Sequence, residues 1–80
     1  MMLDRVEGRR LVAQFPDAVA VFVIGDFNYW STVRTPMGRR SDGFWEASLP
    51  EDAEVGRLAY WVLEPGHIGG QVRWNDRSAA

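Results

Sequence analysis

Apolar and polar residues alternate along much of this chain, with the period of two that a half-buried β-strand requires. Leu11, Ala13 and Phe15 lie on one side of the first such segment. Residues 19–24 are apolar on both sides, which is typical of a central strand or of one whose outer face is covered. Further strands are predicted over residues 44–49, 57–63 and 71–74. Turn residues separate these five segments, and the pattern therefore predicts an all-β sandwich.

The same alternation assigns residues to faces. In the 44–49 segment, Trp45, Ala47 and Leu49 share one side and are expected to point into the core. Tyr60 and Val62 are the core candidates of the 57–63 segment. The outer face would then hold a set of large apolar residues: Phe22, Ile24, Trp61 and Leu63. Such a patch predicts a contact surface, unless the N-terminal arm folds over it.

The chain divides into two parts of unequal size. Residues 1–9 mix apolar and charged side chains at rough helical spacing, which predicts an arm or a short helix. Residues 10–80 are expected to form a single β-sandwich domain. A chain of 80 residues can bury a real but thin core.

The amino-acid composition limits the classes of binding partner and of chemistry that we expect. Hydrophobic residues make up 46% and charged residues 25%, as in an ordinary globular protein rather than a disordered one. The net charge of −2 argues against a nucleic-acid partner. The absence of cysteine excludes disulfides, thiolate zinc sites and thiol catalysis. The longest apolar run, residues 18–24, is too short to cross a membrane, and no signal segment precedes it. We therefore expect a cytoplasmic protein without a membrane partner.

The titratable residues predict no enzymatic activity. His67 is the only histidine, so it has no second histidine with which to bind a metal, and neither a metal nor another cofactor is expected. Glycoside cleavage needs two carboxyl groups facing each other in a cleft. Asp26, Glu46 and Glu64 are better explained as turn and rim residues.

Two of the four tryptophans lie in polar surroundings. Trp30 follows Asn28-Tyr29, and Trp74 lies between Arg73 and Asn75. Flat aromatic rings stack on the C–H faces of pyranose rings, while neighbouring amide and guanidinium groups bind the hydroxyls. The pattern is therefore compatible with a sugar-binding platform, although tryptophan also anchors protein interfaces.

Several motifs resemble one known family. Residues 21–30, VFVIGDFNYW, resemble the V-x-V-x-G-x-F-N-x-W signature of carbohydrate-binding module family 48. That family includes the glycogen-binding domain of AMP-activated kinase beta subunits and the N-terminal module of glycogen branching and debranching enzymes. Further matching segments follow in order up to about residue 77: Thr35-Pro36-Met37, Asp42-Gly43-Phe44-Trp45-Glu46, Leu49-Pro50, Gly56 to Val62, and Trp74-Asn75-Asp76.

This resemblance implies a fold and a ligand. The fold would be an immunoglobulin-like early-set β-sandwich, and the ligand an α-1,4-glucan such as glycogen or starch. Trp30 and Trp74 fall at the positions whose rings stack on glucose, and Asn75 would bind a hydroxyl. Trp61 stands where the family usually has a lysine, so it is either a third stacking ring or part of a protein contact.

The end of the chain departs from the family pattern. Arg77 replaces a proline, and family members usually continue into a final strand. We therefore expect a sandwich without that edge strand, unless residues 1–9 fill the gap. An exposed edge favours pairing with another chain, and this predicts self-association.

Two functional hypotheses follow. The first is a non-catalytic α-glucan-binding module of glycan metabolism. The second is an early-set interaction or dimerisation domain that has lost sugar binding. It would use Phe22, Ile24 and Leu63, together with Trp61, to form a homodimer or to dock a glycan-metabolising enzyme.

Overall fold

Short antiparallel strands build the fold in two sheets. The computed structural model describes residues 4–51, 53 and 58–74. Within these residues the strands are β1 (Asp4–Glu7), β2 (Arg10–Gln14), β3 (Ala20–Gly25), β4 (Gly38–Arg39), β5 (Phe44–Ser48), β6 (Leu58–Leu63) and β7 (Gln71–Trp74). One sheet has the order β1-β2-β5-β4 and the other β3-β6-β7. The predicted all-β, immunoglobulin-like sandwich is confirmed, and no α-helix occurs in the described part of the chain.

The core lies between the inner faces of the two sheets. Leu11 and Ala13 of β2 and Trp45 of β5 meet Val23 and Tyr60 of the opposite sheet. The alternation had predicted this inward set, including Trp45 and Tyr60, and the prediction is confirmed. Burial of Trp45 also requires a partner for its indole N–H, which donates to the Phe15 carbonyl at 2.9 Å.

One short segment joins the two sheets. The Val23 N–H donates to the Thr35 carbonyl, and the Met37 N–H donates to the Val21 carbonyl. The next two residues, β4, pair with β5 in the other sheet. β3 is the first strand of the β3-β6-β7 sheet, and this crossover covers its second edge. The sequence had indicated only a long loop here, because a two-residue strand is too short to show alternation.

The N-terminal segment differs from the expectation. Residues 4–7 form strand β1, which pairs antiparallel with β2 through a two-residue turn, where an arm or short helix had been expected. Gly8 of that turn has φ +64, a conformation that glycine adopts without cost. Because β1 belongs to the β1-β2-β5-β4 sheet, it does not cover the outer face of the β3-β6-β7 sheet. The predicted absence of a final edge strand concerns residues after 74, which lie outside the described residues.

Candidate functional site

The strand register arranges the outer face of the β3-β6-β7 sheet in rows. Partners in antiparallel strands point to the same face of the sheet. Ile24 therefore stands beside Ala59, and Ala59 beside Trp74. The next row consists of Phe22, Trp61 and Val72. These two rows form an apolar surface that the inter-sheet core does not include.

Trp30 reaches this surface from a loop. Its ring centroid lies 5.7 Å from that of Trp74, and the two ring planes are inclined by 63°. Trp30 remains 37% exposed and Trp74 56% exposed. The fold thus brings together two rings that are far apart in sequence and leaves both accessible to a ligand. We call these two residues the tryptophan pair.

Local backbone geometry orients Trp30. It follows a 3-10 helix, Asp26–Asn28, and both Tyr29 and Trp30 have positive φ angles, 58° and 57°. That conformation costs a non-glycine residue roughly 1–2 kcal/mol. Two hydrogen bonds stabilise the turn: the Trp30 N–H donates to the Gly25 carbonyl at 2.8 Å, and the indole Nε1–H donates to Asp26 Oδ1 at 2.9 Å. The ring edge is therefore fixed before any ligand binds.

Asn28 holds the loop against the sandwich. Its side chain is buried, at 5% exposure, and makes three hydrogen bonds. Nδ2 donates to the Val23 carbonyl and to Thr35 Oγ1, both at 2.9 Å, while Oδ1 accepts from the Gly25 N–H at 3.1 Å. The asparagine of the F-N-x-W signature thus has a structural role here. It joins the end of β3, the 3-10 helix and the crossover segment.

A second loop lies over Trp61. A methyl group at Gly70 would lie 2.5 Å from Nε1 and 2.6 Å from Cζ2 of Trp61, and closer still to Cε2. The Gly70 backbone therefore packs directly on the indole of Trp61, which is only partly exposed. The face of Trp61 beneath Gly70 is closed to a ligand.

Polar side chains lie beside β7. Gln71 Nε2 lies 3.0 Å from His67 Nδ1, and an Arg73 guanidinium nitrogen lies 3.5 Å from Glu64 Oε1. These groups belong to the loop that precedes β7 and to β7 itself. Gln71 and Arg73 pair with Val62 and Tyr60, so they lie on the face of β7 opposite to Trp74 and away from the tryptophan pair.

The predicted site residues have different positions. Trp30 and Trp74 are in contact, Trp61 lies one row away on the same face, and Asn75 is outside the described residues. Their roles in binding stay predictions. Asp26, which accepts the Trp30 indole N–H, was not among the predicted site residues, although its spacing of four residues from Trp30 was a usable signal.

The predicted interaction face is less exposed than expected. Phe22, Ile24 and Leu63 all project from the outer side of the sheet, but Ile24 is only 5% exposed. Its neighbour Ala59 is fully buried. This part of the surface therefore offers little apolar area to another protein.

The described residues contain neither a cluster of metal ligands nor a membrane-spanning helix. No group of three or more histidine, aspartate or glutamate side chains is close enough to hold a metal ion in the described residues. The part of the chain that the structure describes also contains no helix long and apolar enough to span a membrane.

Sequence comparison identifies the family of this immunoglobulin-like sandwich with its exposed aromatic pair. Residues 10–78 match the model of carbohydrate-binding module 48, the isoamylase N-terminal domain. The chain belongs to this family, and the predicted resemblance is confirmed.

Its curated relatives are much longer proteins. The 1,4-alpha-glucan branching enzyme GlgB of Rhodopseudomonas palustris (strain BisA53) is 48% identical over 69 residues, which are 85% of this chain and 10% of the enzyme. The GlgB of Bradyrhizobium sp. (strain BTAi1 / ATCC BAA-1182) is 46% identical over 65 residues, 81% of this chain and 9% of the enzyme. The chain thus spans about a tenth of the length of these relatives.

Proposed function

We propose that this chain is a non-catalytic module that binds α-1,4-glucans, such as glycogen, through Trp30 and Trp74. The contact between these two accessible rings is the observation that carries the proposal. Family membership supports a carbohydrate ligand. The branching-enzyme relatives, named for a 1,4-alpha-glucan, support the choice of that glucan.

The inclination of the two rings favours a curved glucan. With planes 63° apart, the rings cannot both lie flat against a straight, ribbon-like chain. A β-1,4-glucan is such a ribbon, whereas successive units of an α-1,4-glucan turn into a helix. A ligand that touches both rings must turn between them, and an α-1,4-glucan does so without distortion.

The same geometry supports a non-catalytic role. The tryptophan pair lies on the outer face of a sheet, whereas glycoside cleavage needs two carboxyl groups on opposite sides of the scissile bond. Asp26 is the carboxylate of the 3-10 helix, and one of its oxygens already accepts the Trp30 indole N–H. The chain would therefore hold glucan while a separate catalytic domain acts on it. Few contacts grip a short sugar, so we expect weak binding, with dissociation constants of roughly 0.1–1 mM.

Affinity electrophoresis in glycogen gels tests the proposal. Migration of the wild-type chain should be retarded by glycogen. Calorimetric titration should detect binding of β-cyclodextrin, a cyclic α-1,4-glucan. Trp30→Ala and Trp74→Ala should each weaken binding by at least about tenfold, which is about 1.4 kcal/mol. Their circular dichroism should still report a folded sandwich, because both rings lie outside the core.

Val19→Ala is the matched control. Val19 is also an exposed apolar residue, but it immediately precedes β3, about 20 Å along the chain from Gly25 at the other end of that strand. Its replacement should leave binding unchanged. A wild-type chain that migrates equally with and without glycogen and releases no heat with cyclodextrin would overturn the proposal. Equal affinity for cellohexaose and maltohexaose would overturn the argument from ring inclination.

The alternative of an interaction or dimerisation domain stays a prediction. One feature favours it: within the described residues, β7 pairs with β6 on one side only. Such an edge can pair with another chain. Analytical ultracentrifugation of the wild type and Trp61→Ala tests this alternative. A monomeric wild type at high micromolar concentration would contradict it.

A further inference from the structure

Strand β7, which carries Trp74, has no side chain in the core. Its inward positions are occupied by Gln71 and Arg73, and none of its residues belongs to the inter-sheet cluster. Its apolar residues, Val72 and Trp74, lie on the outer face. Such a strand, paired on one side within the described residues, is held by few buried contacts and belongs to the less stable parts of a fold.

Trp61 compensates for this lack of core contacts. It is the β6 partner of Val72 in the ladder, and its indole lies directly beneath Gly70, the residue that precedes β7. Trp61 therefore contacts the chain just before β7 and stands beside the middle of the strand. Trp74 is two residues beyond Val72 on the same face.

Gly70 is required at this position for space and not for its backbone angles. Its φ is not positive, whereas Gly69 has φ +75. A Cβ at Gly69 would have nothing within 4 Å, but a Cβ at Gly70 would overlap the Trp61 ring. Neighbouring glycines thus serve two different purposes, and their substitutions can be compared.

We propose that Trp61 is a positioning residue: through its contact with Gly70 it holds β7 where Trp74 meets Trp30. In this inference Trp61 acts through Gly70, which covers one face of its indole, and not as a third stacking ring. The expected effect of Trp61 on glucan affinity rests on the function proposed above. Its expected effect on the contact between Trp30 and Trp74 does not depend on that function.

The test combines a ligand-free signal with a binding measurement. Two indoles in contact give an exciton-coupled band in the far-ultraviolet circular dichroism spectrum, and Trp30→Ala identifies the part of that band due to the pair. Gly70→Ala should reduce this band to less than half and weaken β-cyclodextrin binding at least about fivefold. Gly69→Ala is the matched control: it strains the same loop without touching Trp61, so band and affinity should stay within about twofold of wild type.

A double-mutant cycle of Trp61 and Gly70 is the second part of the test. Trp61→Leu removes the ring atoms that Gly70 covers, and it should reduce the band without the steric overlap. In the Trp61→Leu background, Gly70→Ala should then have little further effect. This part also applies if Gly70→Ala alone fails to fold, because Trp61→Leu and the double variant are both compared with the wild type.

The outcomes separate the two proposals. Loss of the band in Gly70→Ala and Trp61→Leu, but not in Gly69→Ala, supports the positioning role even if the wild type binds no cyclodextrin, in which case only the proposed function fails. An unchanged band in Trp61→Leu overturns the inference. Equal losses in Gly69→Ala and Gly70→Ala, or full additivity in the double variant, also overturn it.

Discussion

Replacement of Asn28 by alanine should destabilise the protein more than its small size suggests. The substitution removes three hydrogen bonds at a buried position, to Val23, Gly25 and Thr35. Each is worth about 1 kcal/mol net, and more where a buried partner is left unsatisfied. We expect a loss of about 3 kcal/mol in the free energy of unfolding. A domain of this length has about 4–12 kcal/mol in total.

Urea and thermal unfolding measure this loss. For a domain of this size, about 3 kcal/mol corresponds to a decrease of about 12–24 °C in the melting temperature. Thr35→Val removes one partner of Asn28 and should cost about 1 kcal/mol in the wild type. It should cost less in the Asn28→Ala background, because the shared hydrogen bond is already lost.

Ser31→Ala is the control for this series. Ser31 is a small polar residue of the same loop, but among the described residues its hydroxyl accepts only an exposed backbone N–H, that of Val33. Its loss should cost less than about 0.5 kcal/mol. An Asn28→Ala variant within about 0.5 kcal/mol of the wild type would refute the view that this side chain joins β3 to the crossover.

Further substitutions have effects that the same unfolding assays can measure. Trp45→Phe removes the indole donor of the Phe15 carbonyl and should cost about 2 kcal/mol; a change below about 0.5 kcal/mol would contradict that role. Tyr29→Gly should raise stability by about 0.5–1 kcal/mol, because Tyr29 has φ 58° and is 84% exposed; a loss of stability would instead indicate that the side chain makes a stabilising contact. Glu46→Gln should cost less than about 1 kcal/mol, since its ion pair with Arg10 is partly exposed, and 1 M salt should erase the difference.

Positions that depend on local interactions could be predicted from the sequence, whereas positions that depend on contacts between distant segments could not. Alternation in a single strand identified Trp45 and Tyr60 as core residues, because successive side chains of a pleated strand point to opposite faces of the sheet. The same rule failed to indicate that Ile24 is buried on the outer face, since its burial depends on neighbours from other strands and loops. Strand β1 was not predicted, because its four residues include both acidic and basic side chains and show neither the period of a strand nor that of a helix clearly.

The candidate site shows the same division. The F-N-x-W signature identified Trp30, and the polar surroundings of Trp74 indicated a position outside the core. No local pattern placed the two rings 5.7 Å apart, because that contact depends on the β6–β7 register and on the conformation of the loop. The contact of Gly70 with Trp61 likewise depends on how one loop folds back over the sheet.

The sequence by itself therefore determined the strand periodicity, the inward residues, the fold class and the family. These depend on the order of residue types along short segments, which is the information that a sequence contains directly. Only the tertiary structure decided which outer residues are covered, how the crossover joins the sheets, and that Trp30 and Trp74 form a pair. These depend on contacts between residues distant in the chain, whose geometry is set by packing and hydrogen bonding across the whole sandwich.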